Sequence, residues 1–140
     1  MQTKLNPYIS FKDNAREAME FYKTVFGGKL EMSTFKEGGM TSEPNDDNKI
    51  MHAMLEADNG ITFMGADTPA GMPYVAGTNI SISLSGDNEE ELTGYFEKLS
   101  EGGSVHQPLT KAPWGATFGM FADKFGIEWM VNIADKNAAA

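Results

Sequence analysis

The chain has 140 residues, of which 41% are hydrophobic and 22% charged, a globular composition that excludes disordered and collagen-like classes. It carries 20 acidic against 11 basic residues and a net charge of −9, which argues against nucleic acids and anionic membranes as partners. It has no cysteine, which excludes disulfides and thiolate chemistry, and we recognise neither a secretory signal nor an apolar run of the ~20 residues that span a bilayer, so we expect a cytoplasmic location.

The first half of the chain predicts a strand, a helix and three further strands. The strands are expected at residues 4–11, 29–35, 49–56 and 61–65. Asn14 and Glu17 stand at the spacing of a capping box, in which Asn caps the first helical amides and Glu reaches back. Apolar residues at helical spacing follow, and Gly27-Gly28 predicts a left-handed end to the helix.

Two segments rich in glycine, proline and polar residues are expected to be irregular. Residues 36–48 form a loop longer than its counterpart in the second half, and we expect it to act as a mobile lid. Residues 67–77 are the predicted linker between the two halves. The tail after Ala134 is expected to fray.

The second half of the chain repeats the first. Strands are expected at residues 78–84, 104–109, 116–121 and 127–133. The helix signature returns after 74 residues, with Asn88 and Glu91 at capping-box spacing and a second glycine pair at the helix end. The segment that begins Ala57-Asp58 is echoed by one that begins Ala122-Asp123. Two echoes in the same order indicate a duplicated βαβββ module within one α+β domain of residues 1–140, with module one at residues 4–66 and module two at 78–134.

Six segments are more specific than the repeat itself. They are residues 7–11 (PYISF), 14–28 (NAREAMEFYKTVFGG), 52–55 (HAML), 101–103 (EGG), 114–115 (WG) and 123–129 (DKFGIEW). They resemble the vicinal oxygen chelate superfamily of glyoxalases, extradiol dioxygenases and bleomycin-resistance proteins, and within it the PhnB-like branch labelled 3-demethylubiquinone 3-methyltransferase-like. The resemblance implies a glyoxalase-like fold, in which tandem βαβββ modules form a curved mixed sheet around a cavity. No S-adenosylmethionine-binding motif is present, so the methyltransferase label has no support in the sequence.

The resemblance also indicates where the ligands of a metal site would lie. Metal-dependent members of the superfamily place His, Gln or Glu ligands on the first and last strand of each module. The matching positions here are Asn6 (or Pro7), Met64 (or Phe63), Asn79 and Met130 (or Trp129). None of these residues is a carboxylate or an imidazole, and thioethers are too soft for magnesium or manganese. We therefore predict no metal site and no cofactor.

His52 and Glu128 are the candidate catalytic residues. An imidazole is a natural general base near neutral pH, and a half-buried glutamate is suited to proton transfer. The alternative is that His52 is a hydrogen-bonded residue in an apolar cavity and that Glu128 points to water at the start of a strand. His106 lies in a turn-like Ser-Val-His-Gln-Pro segment, where we expect a surface histidine.

Further candidate ligand-binding residues follow from strand alternation. Asn79 and Ser81 alternate with apolar residues and so share one face of a strand. From the sequence alone that face points to solvent, whereas the resemblance implies that it lines the pocket. The same reasoning applies to Tyr8, which shares a face with Asn6.

The methionines and tryptophans complete the predicted site. Met54, Met64 and Met130 are expected to line a cavity, because thioethers fill irregular apolar space and adapt to several ligands. Trp114 precedes a glycine at a strand entrance, where its ring is placed to roof the pocket. Trp129 belongs to an apolar series that we expect to pack against a helix.

Three functions remain open. The leading hypothesis is a metal-free protein that binds or sequesters a small, mostly apolar or aromatic molecule. The alternative is a lyase, isomerase or dioxygenase-like enzyme of the same superfamily that uses His52 and Glu128 or an unrecognised divalent metal. The third is a structural dimer with a vestigial pocket. Because two four-stranded sheets expose edges, and because the resemblance implies two-fold dimers, we expect a homodimer.

Overall fold

The computed structural model describes residues 2–39 and 44–135, and the chain divides into two compact units, residues 1–75 and 76–140. Each unit contains one strand, one helix and three further strands in chain order, and its strands form one four-stranded mixed sheet. The predicted duplication and the α+β class are therefore confirmed. Residues 40–43 of the predicted lid, and the end of the predicted frayed tail at residues 136–140, lie outside the described residues.

Unit one is a sheet with one covering helix. Its elements are β1 (Tyr8–Phe11), α1 (Ala15–Phe26), β2 (Lys29–Thr34), β3 (Ile50–Glu56) and β4 (Thr62–Asp67), with a short 3₁₀ turn at Pro44–Asp46. The strand order is β1-β4-β3-β2, in which β1 runs parallel to β4 and the other pairs are antiparallel. The apolar side of α1 packs on one face of this sheet, where the Phe63 ring meets the rings of Tyr22 at 5.2 Å and Phe26 at 5.8 Å between centroids.

Unit two has the same plan. Its elements are β5 (Ile82–Gly86), α2 (Glu89–Ser100), β6 (Ser104–Lys111), β7 (Thr117–Ala122) and β8 (Glu128–Ile133), in the sheet order β5-β8-β7-β6. Phe96 of α2 meets Phe121 of β7 with 5.0 Å between ring centroids. Trp129 is 1% exposed on the same face, so its predicted core position is confirmed.

The glycine pair after each helix allows a close backbone approach. The first glycine of each pair has a positive φ, as predicted. A Cβ added to the second, Gly28 or Gly103, would overlap the carbonyl oxygen of Glu56 or Ala122 respectively. Those two residues end β3 and β7, which are matching strands of the duplication. A glycine at each position is therefore required by packing against a matching part of its own unit.

The two helices begin differently, although their sequences predict the same cap. At α2, the Asn88 Oδ1 accepts a hydrogen bond from the Glu91 backbone N–H at 3.0 Å, as predicted. At α1, the Asn14 side chain makes no capping hydrogen bond, so the predicted capping box is wrong there. The carboxylate of Asp67, 52 residues further along the chain, accepts the Ala15 N–H at 2.9 Å instead.

Two predicted strands begin later than expected. Residues 4–11 contribute only Tyr8–Phe11, and residues 78–84 contribute to Ile82–Gly86. Parallel pairing starts at Tyr8 beside Met64 and at Ile82 beside Trp129, and ahead of β1 the Pro7 carbonyl accepts the Met64 N–H at 3.0 Å. Asn6, Asn79 and Ser81 therefore lie ahead of the strands on which they were predicted.

A buried carboxylate organises the approach to β3. Asp46 is 1% exposed; its Oδ1 forms an ion pair with the Lys49 Nζ at 2.8 Å, and its Oδ2 accepts a hydrogen bond from the Ala70 N–H at 3.0 Å. Lys49 also pairs with Asp13 at 2.9 Å. The Lys49 ammonium holds the pKa of Asp46 below its usual range, and the Asp46 and Asp13 carboxylates raise the pKa of Lys49.

The D46N substitution, which removes the charge of Asp46, is expected to make the free energy of unfolding less dependent on pH in acid. Because the folded-state pKa of Asp46 lies below its unfolded value of about 3.9, its stabilisation is complete above that pH and is lost as the pH falls through the folded-state value. Urea unfolding of D46N and the wild type from pH 2 to 7 should give free energies that differ most near pH 7 and converge below about pH 4. D58N, at an exposed position, serves as the control. A gap that stays constant with pH would contradict this assignment.

Candidate functional site

Each sheet has a second face, turned away from its helix, which we call the helix-free face. Phe63 lies on the helix face of unit one, and a Cβ at Gly65 would meet Met19 of α1, so Met64 between them points the other way. In unit two, Gly119 and Phe121 face Phe96 of α2. The helix-free faces carry most of the residues predicted to bind a ligand.

A pair of methionines occupies the same place on both helix-free faces. Met54 of β3 lies beside Met64 of β4, and Met120 of β7 lies beside Met130 of β8. The two members of the second pair each follow their counterparts by 66 residues. All four side chains are partly buried. The rows across the two sheets are Tyr8–Met64–Met54–Glu31 and Ser83–Met130–Met120–Gln107.

His52 shares the helix-free face of unit one with Met54. Its ring lies 6.0 Å from that of Tyr8 between centroids, and the two planes are tilted by 32°. The imidazole is partly buried and makes no hydrogen bond to any residue within the described ranges. Both interpretations of His52, as a catalytic residue and as a hydrogen-bonded residue in an apolar cavity, stay predictions.

Glu128 finds its partner within its own unit. Its Oε2 lies 3.0 Å from the Nε2 of His106, with side-chain exposures of 20% and 47% respectively. His106 is exposed, as predicted, but it is also a site residue that the sequence did not identify. The signal was hidden because the contact depends on an irregularity in β6 between Val105 and Gln107, which residue spacing does not reveal.

Trp114 lies beside the same face. It is 72% exposed, and its ring stacks on that of Phe118 at 6.4 Å between centroids and 14° between planes. Phe118 follows the alternation of Met120 on β7. A flat aromatic surface therefore borders the methionine pair of unit two, and the roofing role of Trp114 stays a prediction.

The four positions that the resemblance assigns to metal ligands, Asn6, Met64, Asn79 and Met130, carry no carboxylate and no imidazole. Met64 lies beside Tyr8 rather than Asn6, and Met130 lies beside Ser83 rather than Asn79. Two thioethers and two amide oxygens are poor replacements for the water around a hard divalent cation. Within residues 2–39 and 44–135, no group of three His, Asp or Glu side chains is placed to hold a metal ion. The absence of a resident divalent metal stays a prediction, which this donor chemistry supports.

Two surface clefts of unit one lie away from these residues. Two clefts of about 350 and 280 Å³ adjoin the Lys49–Asp13 ion pair, the second also bounded by Tyr74. None of the predicted site residues lines either cleft. Among the described helices, neither has the length and apolarity needed to cross a membrane.

Comparison with known proteins identifies the class. The family model described as the Glyoxalase/Bleomycin resistance protein/Dioxygenase superfamily matches residues 4–131. The chain belongs to this superfamily, and its fold is that of glyoxalase-like proteins.

Individual relatives narrow the resemblance to the PhnB-like branch. The chain is 26% identical to protein YjdN of Escherichia coli (strain K12) over 140 residues, 92% of this chain and 94% of that protein. It matches the structure of protein PA1353 from Pseudomonas aeruginosa with a TM-score of 0.83 and 41% identity, covering 96% of this chain and 100% of that one. A Bacillus cereus structure described as a putative 3-demethylubiquinone-9 3-methyltransferase, PhnB protein, matches with a TM-score of 0.76 and 27% identity over 94% of this chain and 100% of that chain.

Proposed function

We propose that this protein binds a small, mostly apolar or aromatic molecule on its helix-free faces, without a metal ion. The observation that carries the proposal is the duplicated methionine pair, Met54 with Met64 and Met120 with Met130, at matching positions of both sheets. Thioether side chains adapt their shape to apolar ligands. Polar groups at the borders, such as His52 and Glu128, supply the few directional contacts that such sites use.

Polar isosteres of the methionines test this function. In a thermal-shift screen of aromatic metabolites and drugs, a compound that binds the native state raises the melting temperature. At a concentration of 100 times its Kd, it adds about 2.7 kcal/mol to the free energy of unfolding. M64Q and M130Q should lose most of that shift, whereas M64L and M130L should keep it. M72Q, in the exposed linker, is the matched control. Equal shifts in the wild type and the glutamine variants would contradict the proposal.

The proposal also predicts independence from divalent metals. Asn6, Met64, Asn79 and Met130 bring no negative charge and at most two hard oxygens, so a bound ion would lose hydration without adequate replacement. Elemental analysis after tag removal should find far less than one zinc, nickel or manganese per chain, and a chelator should leave the melting temperature unchanged. About one metal per chain would instead return the enzyme hypothesis to first place.

Acid–base catalysis is the second candidate function. The observation that favours it is the imidazole–carboxylate contact of His106 and Glu128 at 3.0 Å, an arrangement used for proton transfer. The pairing of His52 with Glu128, whose members belong to different units, stays a prediction. NMR spectra of a bound compound, followed over hours, distinguish turnover from simple sequestration.

A homodimer is the assembly we propose, in the cytoplasm. Several apolar side chains are highly exposed in the single chain, including Leu5 at 99%, Val75 at 89% and Ile80 at 78%, and exposed apolar groups of this kind are typical of interaction surfaces. Sedimentation velocity at micromolar concentration should show a species of twice the 15.3 kDa chain mass. A lone monomer would contradict the dimer, and a dimer that binds no compound would favour the structural function.

A further inference from the structure

Two of the three titratable side chains on the strands of unit two lie in contact with each other. Its four strands, all within the described residues, contain three titratable side chains: His106, Lys111 and Glu128. His106 and Glu128 meet at 3.0 Å, while Lys111 is at the opposite end of β6. The one carboxylate and the one imidazole of the sheet therefore form a pair.

The contact between His106 and Glu128 depends on a small residue between their strands and on an irregularity in β6. β7 separates β6 from β8, and Ala122 is the β7 residue beside Glu128. Because Ala122 carries only a methyl group, the two longer side chains can meet across it. The register of β6 shifts between Val105 and Gln107, and such bulges re-aim side chains next to functional sites.

Unit one shows that the fold does not require this arrangement. At the positions that match Ala122 and Glu128, unit one has Glu56 and Thr62, which lie beside each other in its sheet. The bulky Glu56 occupies the place of the methyl group, and Thr62 supplies no carboxylate. The pair is thus a local addition to a duplicated framework, beside the methionine pair that both units share.

The protonation chemistry of the pair determines what it attracts. Glu128 is an acceptor, so a neutral His106 donates its Nε2–H to it and keeps the Nδ1 lone pair as a second acceptor. In that state the pair carries one negative charge and offers only acceptors. When the imidazole is protonated, the pair becomes neutral and the Nδ1–H becomes a donor.

We propose that unit two selects a cationic amine, with the ammonium group on the His106–Glu128 pair and the apolar part on Met120 and Met130. The inference rests on the proposed function and names the class of its ligand. The net charge of −9 favours approach of a cation.

Few other charged groups lie near the His106–Glu128 pair. β5 and β7 contribute no titratable group, and α2 covers the opposite face of the sheet. In the adjoining turn, Asp123 is buried and accepts the Trp129 indole N–H, while the Lys124 ammonium lies 5.5 Å from the centre of the Phe125 ring. Lys111 remains at the far end of β6.

The test uses the full chain labelled with methyl-¹³C methionine and three matched probes: 2-phenylethylamine, 2-phenylethanol and 3-phenylpropionate. At pH 8 the amine should shift the Met120 and Met130 methyl signals and bind at least about tenfold more tightly than the alcohol, since a hydrogen bond to a charged group is at stake. The propionate should bind weakest.

Three variants isolate the pair. E128Q should remove the preference for the amine, and H106Q, which keeps the carboxylate, should retain it. E97Q removes one charge from the exposed side of α2 and should behave like the wild type. Equal binding of the amine and the alcohol to the wild type at pH 8 overturns the inference while the proposed function stands. If no probe shifts any of the four methionine methyl signals, both are overturned.

Discussion

Asp123→Ala is expected to lower the free energy of unfolding by about 3 kcal/mol and the melting temperature by about 6–12 °C. Asp123 is 3% exposed. Its Oδ1 accepts the backbone N–H groups of Phe125 at 2.8 Å and Ile127 at 3.1 Å, and its Oδ2 accepts the indole N–H of Trp129 at 2.9 Å. Truncation leaves donors without partners, and an unsatisfied buried donor costs about 1–3 kcal/mol.

The duplication provides a matched control. Asp58 is the counterpart of Asp123 in unit one, is exposed and makes no hydrogen bond within the described ranges, so D58A should change stability by less than about 0.5 kcal/mol. D123N keeps one acceptor oxygen but turns an amide toward a donor, so it should fall between the wild type and D123A. Urea unfolding followed by far-UV circular dichroism measures all three. Similar losses for D58A and D123A would show that the carboxylate of Asp123 has no special role.

The difference between Asp58 and Asp123 shows what the sequence does and does not predict. Both follow an alanine in the repeated segments, and the repeat alone predicts the same structural role for both. Trp129 of unit two replaces Phe63 of unit one, and a buried indole N–H needs an acceptor, whereas a phenyl ring does not. The Asp-x-Phe-Gly-x-x-Trp motif is thus a turn held by one carboxylate. The role of Asp123 follows from the need of the Trp129 indole N–H for an acceptor. The sequence alone does not show this role, because only the folded turn brings the two side chains together.

The elements that could be predicted are those with a local signal. The 3.6-residue apolar period located both helices, and the repeat located all eight strands to within a few residues. The starts of β1 and β5 were missed because they depend on the partner strand, which alternation does not encode. For the same reason Asn6 and Asn79 were placed on strands. The His106–Glu128 contact was missed because it spans three strands and needs the bulge.

Asp67→Ala is expected to destabilise unit one by roughly 3 kcal/mol, because a single buried carboxylate joins three of its elements. Asp67 ends β4, and its two oxygens accept the Ala15 N–H at the start of α1 at 2.9 Å and the Ile50 N–H at the start of β3 at 2.8 Å. A negative charge at a helix N-terminus is also favourable, by about 0.3–1 kcal/mol. Both donors are buried, so truncation leaves them without water or protein partners.

The two capping asparagines separate this tertiary cap from a local one. N14A should cost almost nothing, because the Asn14 side chain makes no capping bond, whereas N88A should cost about 1 kcal/mol, the usual value for a lost cap. Equal losses for N14A and N88A would favour a local cap at both helices and contradict the role given to Asp67.

Both tryptophans lie in unit two, so their fluorescence reports that unit, while far-UV circular dichroism reports both helices. If the units unfold independently, D67A should shift the dichroism transition toward lower urea and leave the tryptophan transition in place. If they unfold together, both transitions should move equally. An unchanged dichroism transition in D67A would show that the three elements are held without this carboxylate.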